Sequence, residues 1–157
     1  MLDMNVELKL AQLGLKLPSA PKPAGNYAPF VRAGNLLFLS AQLPVEDGRP
    51  RYTGRVGAEL TDDEGRAAAQ LAALNVLAQL RAALGSFERL EHLVRMEGHV
   101  AGAPGWHGTP KILDSASDLF VAVLGERGRH ARAAFNPPSL PLNMAVELVV
   151  TAAVKPN

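Results

Sequence analysis

The sequence predicts an α+β fold in which a six-stranded mixed sheet carries two long helices on one face. Two stretches with apolar residues at every third or fourth position indicate helices, and short alternating or continuously apolar stretches indicate strands. The elements that can be placed follow the order β-β-α-β-α-β-β, which accounts for five of the six strands and provides too few helices to cover both faces of such a sheet. We therefore expect another subunit to cover the second face.

Both helices have recognisable boundaries. Thr61-Asp62-Asp63-Glu64 fits a capping box, and Gly85 is suited to a left-handed stop, so a long helix is predicted between them. Thr109-Pro110 is expected to supply a cap and a first-turn proline for the second helix, and Gly125 follows its last apolar residue. These two helices are the expected cover of the sheet.

The strands are predicted from residue alternation and turn signals. Residues 27–32 and 35–40 flank Ala33-Gly34 and indicate a hairpin. Residues 93–100 alternate, so that Val94, Met96, Gly98 and Val100 share one side. Further strands are expected near residues 132–136 and 144–154.

Composition indicates a single compact domain. The chain has 157 residues, 48% of them hydrophobic and 20% charged, and its formal net charge is +1. That balance does not favour nucleic acid or an anionic membrane as a partner. We divide the chain into an N-terminal arm, residues 1–24, which contains a short helix near residues 5–13 and three prolines, and one domain, residues 25–157.

Cysteine is absent, which excludes disulfides, a thiolate nucleophile and cysteine metal ligands. The four histidines show no metal-ligand spacing, so no metal is expected. The first residues lack the pattern of a signal peptide, and we expect no apolar run to be long enough to span a bilayer. A cytoplasmic location is the resulting expectation.

Residues 133–154 contain a single charged side chain, Glu147, and Arg132 directly precedes them. An ionised carboxylate is costly to bury without a partner, so Glu147 requires solvent or a cation. If the last two strands return on each other, Arg132 and Glu147 could meet in one cleft, where arginine binds a carboxylate and glutamate accepts a proton from water. A structural ion pair at a subunit interface is the alternative.

Four motifs carry a resemblance to a known family. They are Gly25-Asn26-Tyr27, the strand from Gly34 to Pro44 that resembles G-N-L-V-F-V-S-G-Q-x-P, Ala131-Arg132 with Leu140-Pro141 that resembles P-A-R and L-P, and Ala145-Val146-Glu147-Leu148 that resembles V-E-I-E. In combination, across residues 25–154, they resemble the Rid family, also called the YjgF family. That resemblance implies a fold similar to chorismate mutase.

The resemblance also implies an activity and its residues. Deaminating members are homotrimers that hydrolyse 2-imino and enamino acids to 2-keto acids and ammonia, without a metal or organic cofactor. By position, Arg132 would bind the substrate carboxylate, Glu147 would orient or activate water, and Tyr27 would enclose the ligand. Ser117 aligns with a helix asparagine of the family, and Ala133 stands where active deaminases carry serine or threonine, so both are assigned to substrate binding.

Two other functions remain open on the sequence. One is a non-catalytic trimer that binds a small carboxylate in the same cleft. The other is an endoribonuclease, as family members are often labelled, with residues 127–132 as a basic loop; steering of a small anion is the alternative role for that loop. Trp106 is interpreted either as a lid over the cleft or as the anchor of a surface loop.

Overall fold

The structure is a computed structural model that describes residues 2–156. These residues form three α-helices and seven strands, and three short 3₁₀ turns lie between them. In chain order they are α1 Leu2–Gln12, β1 Phe30–Ala33, β2 Leu36–Leu39, β3 Val45–Glu46, β4 Arg49–Pro50, α2 Asp62–Leu84, β5 Leu90–Val100, α3 Thr109–Leu124, β6 Ala131–Phe135 and β7 Val146–Val154.

Five strands form the main sheet, in the order β1-β2-β7-β5-β6, and β3 and β4 form a separate two-stranded ribbon. All neighbours in the main sheet are antiparallel except β5 and β6, which run parallel. The mixed α+β character is confirmed, whereas the predicted count of six strands is wrong. The ribbon was not predicted because its strands are only two residues long, too short to show a period.

The long helices have the predicted positions. Thr61 caps α2 in a complete capping box with Glu64, and Gly85 ends the helix with a φ of 73°. Helix α3 also begins as predicted, but its cap was assigned wrongly. Gly108 occupies the cap position and no side chain caps the helix, while Thr109 is its buried first residue.

Helices α2 and α3 pack on one face of the sheet and enclose the main core. Gly98 permits this close approach, because a Cβ at that position would overlap Leu113 of α3. By length and composition α2 would also pass for a membrane span, but 67% of its most apolar window is buried inside the protein. Within this fold it is a core helix.

The prediction for β5 was partly wrong. The strand begins three residues earlier than expected and shifts its register between Leu93 and Arg95. Leu93 is therefore buried together with Met96, Gly98 and Val100, whereas Val94 is only half-buried. Such a bulge interrupts strict alternation, which sequence periodicity cannot detect.

The N-terminal arm includes α1, as expected, and contributes to the same core. Val6 and Leu10 are each 1% exposed and belong to the same hydrophobic cluster as the buried residues of α2 and α3. From Leu15 onward the arm continues as irregular chain to β1. The boundary at residue 24 remains a prediction about chain organisation.

Candidate active site

Arg132 lies on the edge strand β6 and points toward the helices. It is level with Met96, which is buried beneath them. Its guanidinium Nη1 donates to Asp114 Oδ1 at 2.8 Å and to Ser117 Oγ at 3.2 Å, and Nη2 donates to the Pro110 carbonyl at 3.3 Å. An arginine has five N–H donors, so Nε–H and one Nη2–H have no partner among residues 2–156.

The partners of Arg132 come from one side of α3. Asp114 and Ser117 are three residues apart and therefore neighbours on the helix surface. Asp114 is 57% exposed in its side chain and Arg132 is 25% exposed, so the ion pair lies at the rim of a partly buried site. Helix α3 thus holds the guanidinium in place while part of it stays accessible.

Ser117 also contacts a residue that the sequence analysis did not select. Its Oγ lies 3.0 Å from Nε2 of His130, and Nδ1 of His130 lies 2.7 Å from the Gly128 carbonyl oxygen. Burial is the main cause that lowers the pKa of His130; the Gly128 carbonyl opposes it and the charge of Arg132 lowers the pKa further. One signal in the sequence could have drawn attention to His130: it stands where the P-A-R motif has proline.

Glu147 lies on the opposite side of the sheet. It is level with His99, three residues along β5 from the buried Met96, and so faces away from the helices. Glu147 lines a pocket of about 700 Å³ together with Tyr27, Ser40, Gln42 and Met144. The N-terminal arm closes one side of this pocket through Pro21 and Lys22.

The two matching motifs near the N-terminus build this pocket. The Tyr27 hydroxyl oxygen accepts a hydrogen bond from the Ala24 N–H at 3.1 Å, which ties the ring to the arm. Ser40 Oγ donates to the Ala28 carbonyl at 2.6 Å. Gln42 pairs through its backbone with Leu148 in both directions, so the chain after β2 lies directly beside Glu147.

The predicted site residues therefore form two groups. Arg132 and Ser117 meet on the helix side, while Tyr27 and Glu147 meet on the open side. Strand β5 separates β6 from β7, so the strands of Arg132 and Glu147 are not neighbours, and a single subunit does not bring these residues into one cleft. Ala133 follows Arg132 in register with Glu97 and faces the open side.

The basic segment 127–132 is largely used within the subunit. Arg127 Nη1 donates to the carbonyls of Phe87 and Leu90 at 2.8 and 3.0 Å, which anchors the turn before β6. The Nε–H of Arg129 is shared between the two carboxylate oxygens of Glu126, at 3.0 and 2.9 Å. Arg127 is therefore used within the subunit, whereas Arg129 is part of an exposed ion pair with 66% of its side chain accessible.

Trp106 anchors its loop. The indole N–H donates to Asp62 Oδ1 at 3.0 Å, and the ring fills the space that side chains would occupy at Gly57, Gly102 and Gly108. It is absent from the lining of the Glu147 pocket. Over residues 2–156 no cluster of three or more histidine, aspartate or glutamate side chains has a metal-binding arrangement.

Comparison with known proteins identifies the family. Residues 7–154 match the family model described as "YjgF/chorismate_mutase-like, putative endoribonuclease". The chain is 42% identical to Protein TCP17 of Trypanosoma cruzi over 145 residues, which covers 92% of this chain and 91% of that protein. These matches extend over nearly the whole chain.

Solved structures agree with this assignment. The Agrobacterium tumefaciens protein Atu1372, of unknown function, is 39% identical, with a TM-score of 0.93 over 98% of this chain and 95% of its own. RidA from the Antarctic bacterium Psychrobacter is 26% identical, with a TM-score of 0.62 over 87% of this chain and 94% of its own. The resemblance expected from the four motifs is confirmed: this chain belongs to the YjgF/chorismate mutase-like family, that is, the Rid family.

Proposed function

We propose that the protein hydrolyses small 2-imino and enamino acids to 2-keto acids and ammonia. The observation that carries the proposal is the arrangement of Arg132. Three of its N–H groups are held by Asp114, Ser117 and the Pro110 carbonyl, which leaves two donors for a ligand. Arginine with a fixed guanidinium suits a planar carboxylate, the group shared by all these substrates.

The proposed cleft lies between two subunits. Arg132 comes from the helix side of one subunit and Glu147, with Tyr27, from the open side of another. The exposed apolar residues of the open side, including Phe38 and Phe135, support its burial in an assembly, because monomers rarely expose such a patch. A homotrimer, in which each interface is the same, would contain three such clefts.

The chemistry requires few groups. In the proposed reaction Glu147 accepts a proton from water while the oxygen forms a bond to the imine carbon, and the C=N electron pair moves to nitrogen. Glu147 returns that proton to nitrogen, which gives a neutral carbinolamine. The hydroxyl proton then passes to the nitrogen through Glu147 as the C–N bond breaks, so that ammonia leaves and the ketone remains. An enamino acid enters the same route once a proton shifts from its nitrogen to its carbon to form the imine. An imine carbon is already electrophilic, so orientation and one general base account for a useful acceleration.

The test couples the protein to a dehydratase that releases 2-aminoacrylate. Keto-acid formation should accelerate over buffer, and Arg132→Ala should lower kcat/KM by about 100-fold, consistent with losing charge-assisted hydrogen bonds worth roughly 3 kcal/mol. Arg66→Ala is the matched control, because Arg66 is an exposed arginine that pairs only with Asp63 on α2. No acceleration by the wild-type protein contradicts the proposal.

A carboxylate-binding protein without turnover is the second candidate. It is favoured by one observation: the carboxylate half of the site is complete within a subunit, whereas the water-activating half is on the other side of the sheet. Calorimetry with pyruvate, alongside the imine assay, separates the two functions. Saturable binding without turnover of any imine would favour the binding protein.

A further inference from the structure

We infer that His130 is a positioning residue that orients the Arg132 guanidinium through the hydroxyl of Ser117. This inference rests on the proposed role of Arg132 as the carboxylate ligand. His130 is not one of the site residues predicted from the sequence, and its contact with Ser117 was not expected.

The Gly128 carbonyl determines the first hydrogen. A carbonyl oxygen only accepts, so the 2.7 Å contact places a hydrogen on Nδ1 of His130. In neutral imidazole the other nitrogen, Nε2, is then an acceptor. The 3.0 Å contact between Nε2 and Ser117 Oγ must therefore be donated by the serine hydroxyl.

Arg132 determines the second contact of Ser117. Guanidinium groups only donate, so Ser117 Oγ accepts the hydrogen of Arg132 Nη1. The hydroxyl has one hydrogen, and His130 takes it. His130 thereby orients the lone pairs of Ser117 toward Arg132. Each group donates to the next: Arg132 to Ser117, Ser117 to His130, and His130 to the Gly128 carbonyl.

The surroundings of His130 favour its neutral form. The Phe120 ring packs edge-on against the imidazole, with centroids 5.9 Å apart and an interplanar angle of 83°. Arg132 is the charged group that faces the ring from β6, and Asp114 on α3 is paired with Arg132. In the turn that precedes His130, Glu126 and Arg129 pair with each other. A positive imidazole would lie beside the positive guanidinium and would lose its acceptor for Ser117.

The turn that carries His130 is itself closely packed. Gly128 lies against the backbone of Phe120, where a Cβ would overlap the carbonyl group. Arg127 anchors the same turn from the other side through two backbone carbonyls. The imidazole is thus fixed at both ends before a ligand arrives, as expected for a group that preorganises a binding site.

A first experiment requires no ligand. Nitrogen-15 NMR of the wild-type protein should show His130 with a protonated Nδ1 and an unprotonated, hydrogen-bonded Nε2 at neutral pH. The Arg132 Nε–H signal should broaden or shift in both Ser117→Ala and His130→Leu. An Nε2–H tautomer, or an Arg132 signal unchanged by both substitutions, would overturn the inference.

A second experiment measures pyruvate binding by calorimetry. His130→Leu should weaken binding by about 5- to 10-fold, the loss expected for one hydrogen bond to a positioned cation. His130→Gln should recover most of the affinity, because the glutamine oxygen can accept near the position of Nε2. His107→Leu, which alters an exposed loop histidine, is the matched control and should bind as the wild type does.

The double variant decides whether Ser117 connects the two residues. In the Ser117→Ala background, His130→Leu should weaken pyruvate binding by less than about 2-fold, since coupled residues are not additive. Full additivity, or equal loss in His130→Gln and His130→Leu, would mean that His130 only fills space. If the wild type binds no pyruvate, the proposed function loses its carboxylate ligand, and the NMR result alone decides the role of His130.

Discussion

The two faces of the five-stranded sheet differ in how well their apolar residues are covered. On the covered face Met96, Leu148 and Val150 are almost completely buried beneath α2 and α3. On the open face Phe38 and Phe135 remain 45% and 46% exposed, although they are just as apolar. The covered face has its partner within the chain, whereas the open face has an apolar surface that still lacks one.

The site residues follow the same division. On the covered face the Arg132 group, made of Arg132, Asp114, Ser117 and His130, is held by contacts with α3 and the turn before β6. The Glu147 group on the open face lines a pocket bounded partly by the N-terminal arm. In the proposed cleft, the Arg132 half is therefore preorganised within the subunit, and we expect assembly to bring the Glu147 half of another subunit to it.

The largest effect is expected on the covered face. Leu148→Ala should lower the free energy of unfolding by about 2–5 kcal/mol, because a fully buried leucine leaves a cavity when truncated. Chemical denaturation of the subunit, prevented from assembling by dilution, checks the value. A loss below about 1 kcal/mol would mean that this face is packed less tightly than the structure shows.

A smaller but qualitatively different effect is expected on the open face. Phe38→Lys should leave the subunit folded and weaken the self-association constant by about 10- to 100-fold, since burial of a phenylalanine contributes roughly 1.5–3 kcal/mol. Light scattering should show the wild type near three times the 16.6 kDa chain mass. Leu8→Lys, at an exposed leucine of α1, is the control that should not change assembly.

Asp114 provides a test within the Arg132 group. Asp114→Asn removes the charge that competes with the ligand carboxylate for Arg132, so it should tighten pyruvate binding by about 2- to 5-fold. The effect is small because an exposed ion pair contributes less than about 1 kcal/mol. Calorimetry measures the change. Weaker binding would show that Asp114 is needed mainly to orient the guanidinium.

The smallest expected effect is a pH dependence of stability. The pKa of His130 is lowered in the folded protein, so near pH 6 the unfolded chain binds more protons at this residue than the folded chain does. The free energy of unfolding should therefore decrease as the pH falls below about 6.5. His130→Gln should flatten this part of the profile, and an unchanged profile would argue against a buried neutral imidazole.

Local signals made much of the fold predictable. The capping box at Thr61 and the stop at Gly85 each depend on neighbouring residues, and both are found where expected. The bulge in β5 depends on pairing with β7, which is distant in sequence, so alternation alone misplaced Leu93 and Val94. The cap of α3 was misassigned because Thr109 is buried within the helix rather than placed before it.

The sequence suggested residues for the site but not their arrangement. The isolated charge of Glu147 and the four motifs selected the proposed residues, whose roles stay predictions. Whether Arg132 and Glu147 share a face depends on which strand lies between β6 and β7 and on the register of both, and neither follows from a spacing of fifteen residues. His130 was missed because its role depends on a contact with α3.

The most direct test of a cleft shared between subunits is complementation by two inactive variants. Arg132→Ala and Glu147→Gln should each lose imine hydrolysis when assembled alone. After the two are unfolded together and refolded at equal amounts, roughly a quarter of the interfaces should combine an intact Arg132 with an intact Glu147 and recover activity. Recovery of about that fraction is the predicted result, and a mixture no more active than the separate variants would contradict a site built from two subunits.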